Sequence, residues 1–296
     1  MKKKIHFIVN PISGRHNKET FPDKVSKLIN KELFDYYITF TEHPGHGEEL
    51  AKKSVSDGID IVAAVGGDGT INEIARCLID TEVALGIIPF GSGNGLAHHL
   101  RLPLNVEKAI KEVINNGFVT KIDTATINGR HFVSIAGIGF DALIADSFAK
   151  DPNRGLKTYL KIITEEYPYF EPEHYKLTFD DATTIDCSPL FISFANSNQF
   201  GFNAAVSPKA SLNDGFLDVC VFRKPYLIEV PFVAGMLMTQ RIDKSNHVDI
   251  YKAKKINVVR KKNGIANVDG EVVEMEKDIE VKIKELSLNV LIPRMF

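Results

Sequence analysis

Along the first 120 residues, short apolar runs alternate with segments whose apolar positions recur every three or four residues. Residues 5–9 read as a strand, 22–30 as a helix with Val25, Leu28 and Ile29 on one face, and 36–41 as a second strand. A helix over 47–55, a strand over 59–65, a helix over 71–79, a strand over 84–89 and a helix over 106–115 continue the alternation. The run Ile61-Val62-Ala63-Ala64-Val65 is apolar at every position, as a parallel strand covered on both faces requires. This half predicts a three-layer α/β domain.

Near residue 120 the rhythm changes. Residues 121–127, then Asn128-Gly129, then 131–138 predict a hairpin, because Asn-Gly takes the positive-φ conformation of a type I′ turn. Two helices follow over 140–149 and 156–166. The rest alternates with period two over 175–179, 190–195, 217–222, 248–251, 256–259, 265–268 and 279–284, with a second turn at Asn263-Gly264. An antiparallel β domain with a helical excursion is expected, so the boundaries read 1–124 and 125–286. The last run, 287–296, is left open as a completing element of the first domain.

Composition narrows the class. With 296 residues the chain has room for two modest domains, and 44% hydrophobic against 25% charged side chains is ordinary for a globular protein. Thirty-six basic and 38 acidic residues give a net charge of −2, which removes any whole-chain case for nucleic-acid binding. The three cysteines, Cys77, Cys187 and Cys220, have no C-x-x-C spacing, so neither a disulfide framework nor a zinc site is indicated and a cytoplasmic location is expected. The apolar run behind Met1-Lys2-Lys3-Lys4 stops at Asn10-Pro11, and no stretch approaches the ~20 apolar residues of a membrane span. A soluble or peripheral protein follows.

The glycines carry the chemistry. Val65-Gly66-Gly67-Asp68-Gly69-Thr70-Ile71-Asn72-Glu73 leaves an apolar strand and opens a helix, so backbone N–H groups and the helix dipole can face phosphate oxygens. A carboxylate in that turn, Asp68, would repel phosphate without an intervening cation, which suggests Mg2+ carried by a nucleotide. Read alone, the loop is equally a tight turn with Asp68 as its cap. A second loop, Pro89-Phe90-Gly91-Ser92-Gly93-Asn94-Gly95, and a third turn, Asn10-Pro11-Ile12-Ser13-Gly14-Arg15, also follow strands, so all three fall at one sheet edge, where open α/β sheets bind ligands. None is a Walker A or a G-x-G-x-x-G motif, which disfavours a P-loop NTPase and a standard dehydrogenase.

Gly66-Gly67-Asp68-Gly69-Thr70 with Asn72-Glu73 resembles the signature of the diacylglycerol kinase catalytic domain family, shared by bacterial lipid kinases, sphingosine kinases and ceramide kinases and more distantly by NAD kinases. Asn10-Pro11 with Ser13-Gly14, Thr41 with Gly45-His46, Pro89-x-Gly91-Ser92-x-Asn94, Gly139-Phe140-Asp141-Ala142, Asp214-Gly215-x-Leu217-Asp218 and Asp269-Gly270-Glu271 extend the match along nearly the whole chain. The resemblance implies a Rossmann-like N-terminal domain, a β-sandwich C-terminal domain, ATP as phosphoryl donor and a lipid hydroxyl as acceptor in an interdomain cleft. It assigns ATP to Asn10, Pro11, Ser13, Gly14, Thr41, Gly66, Gly67, Asp68, Gly69, Thr70, Asn72, Gly91 and Ser92. It makes Glu271 the general base with Asp269 beside it, joins Asp68 and Asp123 to them in a Mg2+ and water network, and places a structural Mg2+ at Ser211, Asp214 and Phe216. The loop Ser92-Gly93-Asn94-Gly95 departs from the Thr-x-Asn-Asp of many bacterial members and looks more like sphingosine kinases, so the acceptor stays open between diacylglycerol, a long-chain base and ceramide. An NAD kinase-like enzyme with a soluble acceptor and a non-catalytic nucleotide- or lipid-binding regulator are the rivals.

Other features have plainer readings. His43, His46, His98 and His99 read as exposed polar residues rather than metal ligands. The basic stretch from Lys252 to Lys262 reads as a solvated hairpin face, with attraction to an anionic membrane as the alternative. Tyr159, Leu160, Ile163, Tyr167 and Phe170 fall at near-helical spacing and read as core ahead of an acyl groove or membrane stripe. A lipid substrate and peripheral contact with the inner membrane surface are the expected partners, nucleic acid is not, and a homodimer is left open.

Overall fold

A computed structural model describes residues 2–14, 18–153 and 155–294. The chain forms two units, one of Met1–Ile122 with Leu286–Phe296 and one of Asp123–Glu285.

The first unit alternates β1 (Lys3–Val9), α1 (Phe21–Leu28), β2 (Phe34–Phe40), α2 (His46–Ser56), β3 (Ile61–Gly66), α3 (Asp68–Leu78), β4 (Ala84–Pro89) and the short α4 (Gly95–His99) and α5 (Val106–Lys108). β1 pairs in parallel with both β2 and β3, and β3 with β4. Every residue of β3 and β4 is buried, as their continuous apolar runs require. In α3 the buried Ile71, Ile74, Ala75 and Leu78 repeat at helical spacing. The helix expected over 106–115 is α-helical only to Lys108 and runs on as a π-helix over Ala109–Asn115. That wider turn collects the buried Ala109, Ile110, Val113 and Ile114 on one face. Strand order matters for function: the chain goes from β1 outward to β2 and then to β3 on the other side of β1. The ends of β1 and β3 therefore flank a topological switch point.

β5 (Phe118–Ile127) leads into the second unit, which holds β6 (Arg130–Phe132), β7 (Ile135–Gly139), α6 (Phe140–Lys150), α7 (Leu156–Glu166), β8 (Tyr175–Phe179), β9 (Thr184–Cys187), β10 (Phe191–Ala195), β11 (Leu217–Phe222), α8 (Val230–Met238), β12 (Val248–Ala253), β13 (Lys255–Arg260), β14 (Gly264–Val268), β15 (Glu271–Met275) and the start of β16 (Asp278–Ile292). One sheet has the order β12-β11-β10-β7-β14-β15. Facing it, β13 pairs antiparallel with β8 and with β16, and β8 with β9. Ile138, Phe194 and Val219 of the first layer share a core with Leu177, Val258 and Val281 of the second, which makes a β-sandwich. The last residues of β16 return to the first unit, where Val290 lies beside Leu85.

The expected hairpin at Asn128-Gly129 forms with both turn residues at positive φ, but its second arm is short. The run 131–138 divides after Phe132, and β7 crosses to the other sheet. The aromatic stripe of α7 is core: Tyr159, Ile163, Tyr167 and Phe170 pack with Phe140 and Ile144 of α6, and only Leu160 is half exposed.

Candidate active site

In the first unit, three turns meet at the switch point. Asn10 follows β1 and donates from Nδ2 to Thr70 Oγ1 at 2.9 Å, while its Oδ1 accepts the Ile12 N–H at 3.1 Å. Ser13 Oγ donates to the Asn10 carbonyl at 3.1 Å. Gly14 has φ +69° and lies so close to the Phe90 carbonyl that a Cβ there would sit 1.9 Å from its oxygen. Gly91 faces Gly67 as tightly, since a Cβ on it would lie 2.7 Å from Gly67 Cα and 2.8 Å from Asn94 Oδ1. Close approach of two backbones is the physical demand that glycine meets here. The Thr41 N–H donates to the Val9 carbonyl at 2.8 Å, which sets Thr41 beside Asn10. Ser92 follows Gly91 and is exposed, as is Pro11, and Asn72 is buried on α3. Arg15 lies outside the described residues.

Asp68 joins the two glycine loops. Its carboxylate oxygens accept the N–H groups of Asn94 and Gly95, each at 2.7 Å. Burial pushes this carboxyl above the ordinary range, and the Gly95 and Asn94 N–H groups oppose that shift by favouring the charged form. Asp68 does not cap α3, the helix its own turn opens; its carboxylate instead meets the N–H groups at the start of α4, the helix of the second loop. Each oxygen retains a lone pair, so the carboxylate still suits a nucleotide-borne Mg2+. Asn94 Oδ1 is buried without a hydrogen-bond partner, an acceptor left over at the same place.

In the second unit, Asp269 and Gly270 form the turn between β14 and β15 with φ +53° and +88°. The Asp269 carboxylate accepts three consecutive N–H groups, from Val133 at 2.7 Å, Ser134 at 2.8 Å and Ile135 at 3.0 Å. This clamp holds the chain where it leaves β6 for β7, and it is why the 131–138 run divides. Asn196 Nδ2 donates to the Val133 carbonyl at 2.6 Å and the Asp123 carbonyl at 2.7 Å. The buried Asp123 then accepts the Gly215 N–H at 2.8 Å. Asp123, Asp269 and the Asp214 turn are therefore one connected network. Glu271 begins β15, half exposed, with its carboxylate on the Arg130 guanidinium.

The Asp214 turn offers one carboxylate and the carbonyls of Ser211 and Phe216, the hard oxygen donors a Mg2+ takes. Yet Lys252 Nζ lies 2.5 Å from Asp214 Oδ2 and 3.4 Å from Asp218 Oδ1, so the carboxylate already has a cation. A metal would have to displace that ammonium. The set does not fit a bound Mg2+ as arranged.

Lys18 escaped the sequence reading. Lys18 is 2% exposed, donates to the Ser13 carbonyl and, at 2.8 Å, to Ser13 Oγ, and has its pKa pushed down by burial to about 8. It braces the turn after β1, and only its distance downstream of Ser13-Gly14 could have marked it. Asp141 of α6 is buried with Asn267 Nδ2 donating to it at 3.1 Å. A Cβ on Gly137 would meet that carboxylate at 2.0 Å, which explains a glycine in β7. His43 and His46 stack in parallel 4.7 Å apart with Glu49 nearby. His46 Nδ1 already accepts the Glu42 N–H at 3.0 Å, and parallel rings do not aim their lone pairs at one point.

Residues 4–127 match the family model described as the diacylglycerol kinase catalytic domain, and residues 134–291 match the YegS C-terminal NAD kinase beta sandwich-like domain. A protein named diacylglycerol kinase from Bacillus subtilis strain 168 is 32% identical over 278 residues, covering 91% of this chain and 90% of the relative. One of the same name from Staphylococcus saprophyticus is 30% identical over 279 residues, covering 92% and 90%. Among solved structures, a putative diacylglycerol kinase from Bacillus anthracis superposes with a TM-score of 0.81 at 22% identity, covering 99% of this chain and 97% of that one. An NAD kinase from Archaeoglobus fulgidus in complex with ATP gives 0.56 at 14% identity, covering 98% and 94%. These structural likenesses establish the fold.

Proposed function

Since the chain belongs to the diacylglycerol kinase family, we propose that this lipid kinase transfers the γ-phosphoryl group of ATP to the hydroxyl of diacylglycerol. The observation that carries the reading is the joining of the Gly67 and Gly91 loops through Asp68 at the switch point. Backbone N–H groups there suit phosphate oxygens, and the Asn10 to Gly14 turn, braced by Lys18, closes one side. Mg2+ carried with the nucleotide supplies charge neutralisation on the phosphate oxygens. Glu271, kept in place by Arg130, takes the acceptor's proton as its oxygen attacks the γ-phosphorus and the bond to the β–γ bridging oxygen breaks, releasing ADP. Asp269 acts as a positioning residue, because its oxygens hold the backbone beside that base.

The purified protein with γ-labelled ATP and Mg2+ should label diacylglycerol in a panel with a long-chain base, ceramide and NAD. Labelling of NAD alone would overturn the lipid acceptor, and ATP binding with no label on any acceptor would favour the regulator. Glu271→Gln should lower turnover by roughly 100-fold or more with ATP affinity unchanged, the size expected for loss of a general base.

A further inference from the structure

The basic stretch from Lys252 to Lys262, a solvated hairpin face with membrane attraction as its alternative reading, already has acidic partners for most of its lysines. Lys252, Lys254, Lys255 and Lys262 are paired with Asp214, Glu285, Glu280 and Glu173, and Arg260 is buried on carbonyl oxygens. The apolar surface lies one segment earlier. Tyr226, Leu227 and Ile228 are 81%, 68% and 88% exposed in the turn before α8, and Phe232 is 69% exposed on the helix itself. α8 contains no charged residue. Its Val233 is buried with Leu237 packed beside it, so the outward side is as apolar as the inward one. A helix apolar all round is ordinarily enclosed, and this one is not.

The turn is built rigidly. Tyr167 Oη donates to the Pro225 carbonyl at 2.5 Å, Lys224 Nζ donates to the Phe170 carbonyl at 2.7 Å, and the Tyr226 N–H donates to Glu229 Oε2 at 2.8 Å. The same hydrogen bond turns Glu229, the acid within the segment, back onto the backbone. Charge on either side is positive. Lys224 before the tip and Arg241 and Lys244 after α8 have no acidic partner among the described residues, whereas Asp243 is neutralised by Lys209 and Asp249 by Arg223.

We propose that the 226–232 tip inserts into the headgroup region of an anionic bilayer, with Arg241 and Lys244 against the lipid phosphates. Three consecutive side chains exposed this far form a projection, which suits a deformable surface, and the flanking cations are complementary to anionic lipid. The inference rests on the lipid-kinase reading for its use, since a water-bound enzyme must reach an acceptor held in the membrane.

The test is co-sedimentation with vesicles of phosphatidylglycerol and phosphatidylcholine, beside phosphatidylcholine alone, using the full chain and the Leu227→Ser/Ile228→Ser variant. Wild type should pellet with the anionic vesicles, and the variant should bind at least about ten-fold more weakly, as loss of two inserted aliphatic side chains requires. Arg241→Gln/Lys244→Gln should weaken binding mainly at low salt. Activity on a short-chain diacylglycerol dispersed in detergent should be unchanged in the tip variant. Equal pelleting of wild type and tip variant overturns the proposal. So does a change from dimer to monomer in the tip variant with vesicle binding intact, which would make the patch an interface between copies. Absence of kinase activity alongside tip-dependent pelleting would overturn the acceptor reading and leave the membrane surface standing.

Discussion

Asp141 shows what one buried carboxyl does to stability. Burial raises its pKa from 3.8 to about 6 against the opposing hydrogen bond from Asn267. The folded state therefore holds its proton more tightly than the unfolded chain. That contribution is fully present below about pH 4 and is lost as the pH rises through 6. A carboxyl held near 6 amounts to roughly 3 kcal/mol. Asp141→Asn keeps an acceptor for the Asn267 amide and removes the ionisation. Urea denaturation should find the variant level with wild type near pH 4 and roughly 2–3 kcal/mol more stable at about pH 7.5. An unchanged difference across that range would mean that Asp141 does not titrate there.

Among the elements, the two glycine loops behave as one. Gly91 and Gly67 approach so closely that Gly91→Ala must push backbone apart, at a cost of about 1–3 kcal/mol. Because those backbones form the proposed phosphate cradle, calorimetry should record ATP affinity falling with stability. Gly69 is the control: a Cβ there meets nothing within 4 Å, so Gly69→Ala should match or exceed wild-type stability in chemical denaturation. The strand and helix runs of the first unit were legible from apolar periodicity, and the glycines marked both loops. Periodicity could not reveal that the 131–138 run serves two sheets, because the Asp269 carboxylate that divides it arrives from far along the chain. Nor could it find the apolar tip at residues 226–232, since an apolar run does not say whether anything packs over it.

For the whole molecule, β16 makes the first unit depend on the end of the chain. Leu288, Val290 and Leu291 are at most 4% exposed there. Ending the chain after Glu285 removes that burial, worth roughly 5–8 kcal/mol, which is comparable to a domain's entire stability. The truncated protein should lose ATP binding and the cooperative unfolding of the first unit, as followed by calorimetry and limited proteolysis. A truncated chain that binds ATP normally would show that β16 is dispensable. No helix among the described residues is long and apolar enough to cross a membrane.

The sequence by itself determined the α/β half, an antiparallel β half and the glycine turns at the strand ends, because hydrophobic period and glycine placement are local properties of the chain. Tertiary structure alone decided which charges are free and which apolar residues are covered. Lys252, Lys254, Lys255 and Lys262 meet acids distant in sequence, the α7 stripe is closed over by α6, and the tip before α8 stands open. Pairing and burial are set by what folds against a residue, and no local pattern encodes that neighbour.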